Sequence, residues 1–158
     1  MIRLAKEKDT KDIWEAHIAS IREVCSEDYS NEQIAGWSSF SYSHEHWVKT
    51  MKKDHVLVYE KNDKVHGFCH SGIIDDSTAE IYGFYLSPLV VGKGVGMEML
   101  SSTLKYFKDL NNISKVKLIA TRTAKSFYEK AGFIVTGPEF QEPTRGIMLE
   151  CIPMELAL

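Results

Sequence analysis

The residues best suited to binding a charged ligand are three glycines that alternate with Lys93 and Val95 in the stretch Gly92–Gly96. Alternating glycines let the backbone approach a bulky ligand and turn several N–H groups toward one point. The amphipathic run from Val95 predicts a helix, whose first turn adds unpaired amides and the positive end of its dipole. The stretch therefore predicts a site for a phosphate or a pyrophosphate. Glycines that only cap the helix and allow close packing are the alternative interpretation.

Two common phosphate-binding loops do not fit this spacing. A Walker loop ends in Gly-Lys-Ser/Thr, whereas Lys93 is followed by Gly94. A dinucleotide-binding turn has two residues between its second and third glycines, whereas only Val95 separates Gly94 from Gly96. A nucleotide-binding protein that uses these glycines for a different phosphate stays open as an alternative.

Two motifs in this order resemble the GNAT superfamily of N-acetyltransferases. The acetyl-CoA loop of that family reads Gln/Arg-x-x-Gly-x-Gly/Ala, and Val91–Gly96 matches it at the glycines. The family often also shows Asn-x-x-Ala-x-x-Phe/Leu-Tyr-Glu-Lys-x-Gly-Phe, which Thr121–Phe133 resembles. The chain departs from the family at Val91, where a polar side chain is lost, and at Thr121, which replaces the common Asn. Because the loop binds mostly through backbone amides, we expect coenzyme binding to survive the change at Val91.

The resemblance implies one N-acetyltransferase domain over residues 1–158, with acetyl-CoA as co-substrate and no metal. It implies direct transfer in a ternary complex to the amine of a small-molecule or peptide acceptor, which the sequence does not identify. A non-catalytic acyl-CoA-binding or regulatory module on the same fold is the alternative that the change at Val91 leaves open. The resemblance assigns coenzyme binding to Leu86, Ser87, Val91, Gly92, Lys93, Gly94, Val95, Gly96, Met97, Thr121, Ala124 and Phe127.

Glu80 is the candidate general base. Its distance from the glycine loop matches that of the catalytic glutamate in histone-acetylating members of the family. Strict alternation along the strand predicts that Glu80 shares a face with the alternate residues from Tyr82 to Leu86, toward the acceptor. Its carboxylate would then deprotonate an ammonium directly or through water. A solvated charge at the strand edge is the alternative.

Tyr128 resembles the general acid of the family, placed to protonate the thiolate of coenzyme A. A tyrosine that packs on a short helix and only hydrogen-bonds the sulfur is the alternative. The resemblance also implies that the strand Tyr82–Leu86 splays from Val116–Ala120 and that the pantetheine arm enters the gap. The Leu86 amide would then face the thioester carbonyl and stabilise its developing negative charge.

The acceptor site has no motif of its own. Tyr29, Trp37 and Tyr82 are candidate substrate contacts, because aromatic residues in these regions could line a pocket. Packing in the core or between helices is the alternative for the tryptophan. Arg145 could meet an acidic substrate, although a solvated surface arginine is the commoner outcome.

The elements that must position these residues follow from periodicity. Three antiparallel strands precede the glycine loop, and a strand, a helix and two further strands follow the long helix after it. The resulting order is β, helices, βββ, α, β, α, ββ, which predicts a mixed α/β fold with one central, mostly antiparallel sheet flanked by helices. The predicted strands are 2–4, 55–60, 65–74, 79–87, 116–120, 133–136 and 146–156, and the predicted helices begin at Thr10, Ser30, His44, Val95 and Ala124.

Composition excludes several classes of protein. A chain of 158 residues with a formal net charge of −3 and no basic block gives no support for nucleic-acid binding. It has neither a run long enough to span a membrane nor the apolar start of a secretory signal, so a cytoplasmic protein is expected. The three distant cysteines indicate reduced thiols, and the paired histidines make no metal site by themselves. A homodimer remains an expectation from relatives. The cysteines are Cys25, Cys69 and Cys151, and the histidine pairs are His44 with His46 and His66 with His70.

Overall fold

The computed structural model describes all residues from Met1 to Leu158. It contains eight strands and five α-helices, together with a 3₁₀ turn at Glu7–Asp9 and a π-helical segment at Ser20–Val24. The strands are β1 (Ile2–Leu4), β2 (His55–Lys61), β3 (Lys64–Ile73), β4 (Thr78–Leu86), β5 (Lys115–Thr121), β6 (Ile134–Val135), β7 (Phe140–Thr144) and β8 (Ile147–Ala157). The helices are α1 (Thr10–Ala19), α2 (Asn31–Trp37), α3 (His44–Lys53), α4 (Val95–Asp109) and α5 (Lys125–Lys130).

One sheet runs through the molecule in the order β1-β2-β3-β4-β5-β8-β6, with β7 pairing on β8. Every pair is antiparallel except β4 with β5. The tight β2–β3 turn has left-handed Asn62 and Asp63, at φ 53° and 58°, which suits the twist of a two-residue hairpin. The predicted mixed α/β fold with a mostly antiparallel sheet is confirmed.

The two faces of the sheet carry separate cores. On one face, Met99, Leu100 and Phe107 of α4 are fully buried in a cluster of 15 buried residues that also contains Tyr128 of α5. On the other face, α1 and α3 pack Ile13 and Trp47 against β2 and β3. Trp37 of α2 belongs to a third cluster, near β8. The sheet therefore separates the α4–α5 layer from the α1–α3 layer.

Strands β4 and β5 pair only over their first halves. The parallel register runs from Thr78 opposite Lys115 to Ile81 opposite Leu118, and it ends there. On its other side β4 stays paired with β3 as far as Leu86. Because β4 continues without β5, the sheet opens into a gap at its centre.

A β-bulge at Tyr82 corrects the predicted alternation of β4. His70 pairs with Gly83 and Ser71 pairs with Ile81, so Tyr82 is the extra residue. An extra residue shifts every later side chain to the opposite face. Ala79 and Ile81 therefore share the α4–α5 face with Phe84. The prediction that Glu80 shares a face with Phe84 and Leu86 is wrong.

Strand β7 and the π-helical segment after α1 were not predicted. Strand β7 carries Pro143, but it lies at an edge, where a missing amide costs no ladder bond. It meets β8 through a two-residue turn in which Arg145 and Gly146 are both left-handed, at φ 49° and 83°. The π-helical segment after α1 ends with the Cys25 amide donating to the Ser20 carbonyl at 3.2 Å. The predicted strand at residues 133–136 is shorter, at Ile134–Val135.

Candidate active site

A mostly apolar cleft of about 380 Å³ fills the gap between β4 and β5. Apolar clefts with a few converging polar groups are the usual form of a small-molecule site. Its walls come from the second half of β4, the glycine loop, the start of α4, the second half of β5, helix α5 and the segment Ser20–Cys25.

The open edge of β4 presents backbone groups to this cleft. The Ser87 amide donates to the His66 carbonyl of β3 at 2.8 Å. Because successive amides of a strand point to opposite sides, the Leu86 amide points away from β3, toward the cleft. Leu86 itself lines the cleft, whereas Ser87 is buried outside it with its hydroxyl unpartnered.

The glycine loop closes one end of the cleft. Gly92 and Gly94 are left-handed, at φ 75° and 81°, and no atom lies within 4 Å of a Cβ placed on either. The first amide bonded within α4 is that of Glu98, which donates to the Gly94 carbonyl at 3.1 Å. The amides before it have no helical acceptor, so they form a cradle for an anion at the positive end of the helix.

The side chains of this loop differ in their position. Val91 and Met97 line the cleft and are each more than a third exposed, and Gly96 lines it between Leu86 and Phe127. Val95 is buried in the core, where it supports the first turn of α4. Lys93 turns away, because its ammonium donates to the Leu89 carbonyl at 2.7 Å. Neither Lys93 nor Val95 lines the cleft.

The opposite wall comes from the second predicted motif. Thr121, Ala124, Phe127 and Tyr128 all line the cleft. The Thr121 hydroxyl accepts from the Ala124 amide at 3.2 Å, so it fixes the start of α5. This hydrogen bond is available to a threonine as well as to the asparagine common in the GNAT motif.

Tyr128 is a buried side chain whose hydroxyl stays protonated over a wide pH range. Its ring packs among Phe84, Phe127 and Phe133, with centroids 5.1 to 6.4 Å apart. Burial raises the pKa of Tyr128 well above its ordinary value. A tyrosine that stays protonated is a hydrogen-bond donor toward any acceptor atom that enters the cleft.

Glu80 does not line the cleft. It lies before the bulge, with its carboxylate 4.0 Å from the Lys117 ammonium and about a quarter exposed. Its neighbour Tyr82 lines the cleft, is 45% exposed, and has its pKa raised by burial and by the charges of Asp54 and Glu80.

Tyr29 and Trp37 are packing residues in this structure. The Tyr29 hydroxyl accepts from the Arg122 amide at 2.9 Å and donates to the Glu150 carbonyl at 3.1 Å. The Trp37 ring lies edge-on to Tyr29 and Tyr85, 5.5 and 6.3 Å from their centroids. Both side chains are buried behind the cleft wall, and of the three predicted substrate contacts only Tyr82 lines the cleft.

Sequence reasoning missed one wall of the cleft. Ser20, Val24 and Cys25 line it from the π-helical segment, which no residue pattern announces. Thr123 also lines it, and its hydroxyl donates to Asp28 at 2.6 Å, which ties this wall to the start of α5. The remaining lining residues lie on predicted strands that flank the splay: Ile81, Gly83, Phe84, Tyr85, Leu118, Ile119 and Ala120.

The three thiols are free and buried. Burial raises the pKa of Cys25, and it raises the pKa of Cys69 to about 12 and that of Cys151 to about 11. Since the thiolate is the nucleophilic form, none of the three is activated for a covalent step. The structure contains no group of three His, Cys, Asp or Glu side chains that could hold a metal ion. None of its helices is both long and apolar enough to cross a membrane.

Solved structures of acetyltransferases share this architecture. A GCN5-related N-acetyltransferase from Rhodopseudomonas palustris is 20% identical, with a TM-score of 0.86 over 100% of this chain and 95% of that one. The PaiA N-acetyltransferase from Thermoplasma acidophilum, solved with coenzyme A, is 24% identical, with a TM-score of 0.83 over 100% and 98%. YncA from Salmonella typhimurium, solved with acetyl-CoA, is 21% identical, with a TM-score of 0.72 over 99% and 92%.

Sequence comparison gives the family directly. No curated protein is similar enough in sequence to match this chain. The family model for the acetyltransferase (GNAT) domain matches residues 25–158, which include the glycine loop, both walls of the β4–β5 gap and helix α5. The chain belongs to the GNAT acetyltransferase family.

Proposed function

We propose that this protein transfers the acetyl group of acetyl-CoA directly to the amine of a small molecule or a peptide. One observation carries the proposal: the unpaired edge of β4, the amide cradle at Gly92–Gly96 and the Tyr128 side chain all face a single cleft. The pantetheine arm of a coenzyme would need the strand edge, its pyrophosphate would need the amide cradle, and its sulfur would need the Tyr128 hydroxyl. Structures of two similar proteins hold coenzyme A or acetyl-CoA, which supports the choice of ligand.

The residues present fit the coenzyme. The space above Gly92 and Gly94 is free of atoms to 4 Å, so a pyrophosphate can reach the amides of the loop. The edge of β4 beyond Ile81 has no partner strand, and the amide groups of a pantetheine arm can pair with it as an added strand would. Val91 contributes its backbone and an apolar contact.

The chain supplies two groups near the reacting atoms. The coenzyme supplies an activated thioester. The Leu86 amide stabilises negative charge on the carbonyl oxygen of the thioester, an interaction worth about 3 kcal/mol in comparable sites. Tyr128 stays protonated and donates its hydroxyl hydrogen toward the leaving sulfur. Because its pKa lies well above the ordinary value of a thiol, the hydrogen bond to the sulfur contributes more than complete proton transfer does.

The acceptor must lose a proton before it attacks. Glu80 lies outside the cleft, so it acts on the acceptor through water and not by direct contact. A covalent acetyl-enzyme is not needed, since the buried thiols have raised pKa values. Transfer therefore takes place within one complex of coenzyme and acceptor.

Two measurements on the purified protein test this function. We expect acetyl-CoA and coenzyme A to raise the melting temperature, ATP to leave it unchanged, and free thiol to be released when amines are added with acetyl-CoA. Stabilisation by acetyl-CoA without thiol release over a broad panel of amines would instead indicate a non-catalytic acyl-CoA-binding module. Stabilisation by ATP alone would indicate a nucleotide-binding protein and would overturn the proposal.

A further inference from the structure

Two arginines converge on the end of α2 without a carboxylate partner. The Arg145 guanidinium donates to the Trp37 carbonyl, and Arg22 donates to the Ser38 hydroxyl at 3.1 Å. The other two arginines of the chain, Arg3 and Arg122, both form ion pairs with carboxylates. Two guanidinium groups without a carboxylate partner thus bond to the adjacent residues Trp37 and Ser38, in a chain whose formal net charge is negative.

Helix capping accounts for only a small part of this arrangement. Each arginine has five N–H donors, and in each only one bond to the end of α2 is made. Cations do favour the C-terminal end of a helix, but α2 has only seven residues. Most of the donors of both guanidinium groups therefore remain available to a ligand.

Exposed aromatic rings frame Arg145. Its guanidinium carbon lies 5.3 Å from the centre of the Phe40 ring and 5.6 Å from that of Tyr42. Phe40 and Tyr42 are 54% and 42% exposed, whereas Arg145 is half-buried. The rings hold the guanidinium in place by cation–π contact.

This group of residues adjoins the active-site cleft. Val24 and Cys25, which follow Arg22 on the same segment, line the cleft. The ring of Trp37, whose carbonyl accepts from Arg145, packs 6.3 Å from Tyr85, which also lines the cleft. Burial lowers the pKa of His17 and the charge of Arg145 adds to that shift, while the same charge opposes the rise that burial gives the pKa of Tyr85, so the field of Arg145 reaches the cleft wall.

We propose that Arg145 and Arg22, framed by Phe40 and Tyr42, bind a carboxylate of the acceptor, so that the preferred acceptors are amines that carry a carboxylate. This inference rests on the proposed acetyl transfer. A planar guanidinium matches a carboxylate in two parallel hydrogen bonds, and the strained left-handed backbone of Arg145 in the tight β7–β8 turn fixes its position. Amino acids and acidic peptides have this chemistry.

The experiment compares ω-amino acids of increasing chain length with the matching carboxamides, which have the same amine and no carboxylate. We expect kcat/KM to favour the acid over the amide at one chain length by about tenfold or more, the value of a charged hydrogen bond. In Arg145→Gln and Arg22→Gln that ratio should fall about tenfold, while Arg145→Lys, which keeps the charge without the planar fork, should be intermediate. Lys105→Gln on exposed α4 changes the net charge equally and should keep the full ratio.

The outcomes separate this inference from the proposed function. If the wild-type protein turns over acids and amides equally, or if Arg145→Gln and Arg22→Gln fold normally and keep the full ratio, the carboxylate site is wrong and acetyl transfer stands. If no amine is acetylated, the proposed function fails. Calorimetric titration of the same acids and amides into protein saturated with coenzyme A then decides the site alone: equal heats for both overturn it, and binding of the acid that is lost in Arg145→Gln supports it.

Discussion

The coenzyme half of the cleft presents backbone amides, from Leu86 to Met97, and closes against Thr121–Tyr128. The proposed acceptor half combines the cleft wall at Ser20–Cys25 with side chains beside the cleft, and it presents the aromatic rings of Phe40 and Tyr42 and the guanidinium groups of Arg22 and Arg145. The first half depends on where the chain leaves hydrogen-bonding groups unpaired. The second depends on which side chains several distant segments bring together. This difference teaches that the ligand common to a family can bind through main-chain geometry, while the variable ligand is selected by side chains.

The protein should lose stability in acid, because α1, which packs beside the acceptor half, carries a buried neutral histidine against the Tyr85 ring. Burial, with the charge of Arg145 nearby, lowers the pKa of His17 to about 4 from its ordinary 6.5. Below pH 6.5 the unfolded chain therefore binds a proton that the folded chain does not, and stability falls as the pH falls toward 4. We expect a loss of up to about 3 kcal/mol from this residue, measured by urea denaturation across the range. His17→Leu should flatten the dependence of stability on pH, and His44→Gln, a change at an exposed histidine, should keep it. Equal slopes of stability against pH in the two variants would contradict the assignment to His17.

The coenzyme half should be the more sensitive to an added methyl group. Gly94 and Gly146 are left-handed at φ 81° and 83°, with open space around both. Alanine at either position carries the same backbone cost of about 1 kcal/mol. We expect Gly94→Ala to weaken binding of coenzyme A about a hundredfold in calorimetry, since two or more charged hydrogen bonds are lost. Gly146→Ala should bind normally, and similar affinities in the two variants would show that the loop does not hold the pyrophosphate.

Removing the Tyr128 hydroxyl should slow turnover without loosening the coenzyme. Phenylalanine keeps the packing against Phe84, Phe127 and Phe133 but cannot donate to the sulfur. We expect kcat to fall about tenfold in Tyr128→Phe, about the value of one hydrogen bond to a charged group, while the KM for acetyl-CoA is unchanged. Full turnover in this variant would remove Tyr128 from the reaction.

The smallest effect should come from Glu80, because it lies outside the cleft. We expect Glu80→Gln to lower kcat by about threefold, since only a water-mediated contribution is lost. Lys117→Gln removes the neighbouring charge at 4.0 Å and is the matched control. A loss of a hundredfold in Glu80→Gln would show direct contact with the acceptor and would require β4 to change its register.

The coenzyme half was largely predictable from the sequence. Glycines at positive φ, a helix beginning at Val95 and the strand–helix unit around Thr121 are all local consequences of residue type. The bulge at Tyr82 was not predictable, because it depends on how β4 pairs with β3. The face of Glu80 was mistaken for that reason.

The acceptor half was largely unpredictable for a related reason. Tyr29 and Trp37 are aromatic residues that suit a pocket as well as a core, and only tertiary packing decides between them. The hairpin that carries Arg145 has a turn of Arg145-Gly146 instead of the usual Asn-Gly or Asp-Gly, and Pro143 disfavours a strand. The sequence therefore suggested an acidic substrate for Arg145, but it did not indicate which other residues would join Arg145 in binding that substrate.

The separation of β4 from β5 also bears on how an unpaired strand edge is kept from pairing with another sheet. An unpaired strand edge on an outer surface attracts the edge of another sheet, which is a route to aggregation. Here the free edge lies in the middle of the sheet, between β4 and β5, and is walled by α4 and α5. A slender ligand can enter such a slot, but the edge of another sheet cannot. The unpaired backbone groups of β4 can therefore bind a ligand without pairing with a second chain.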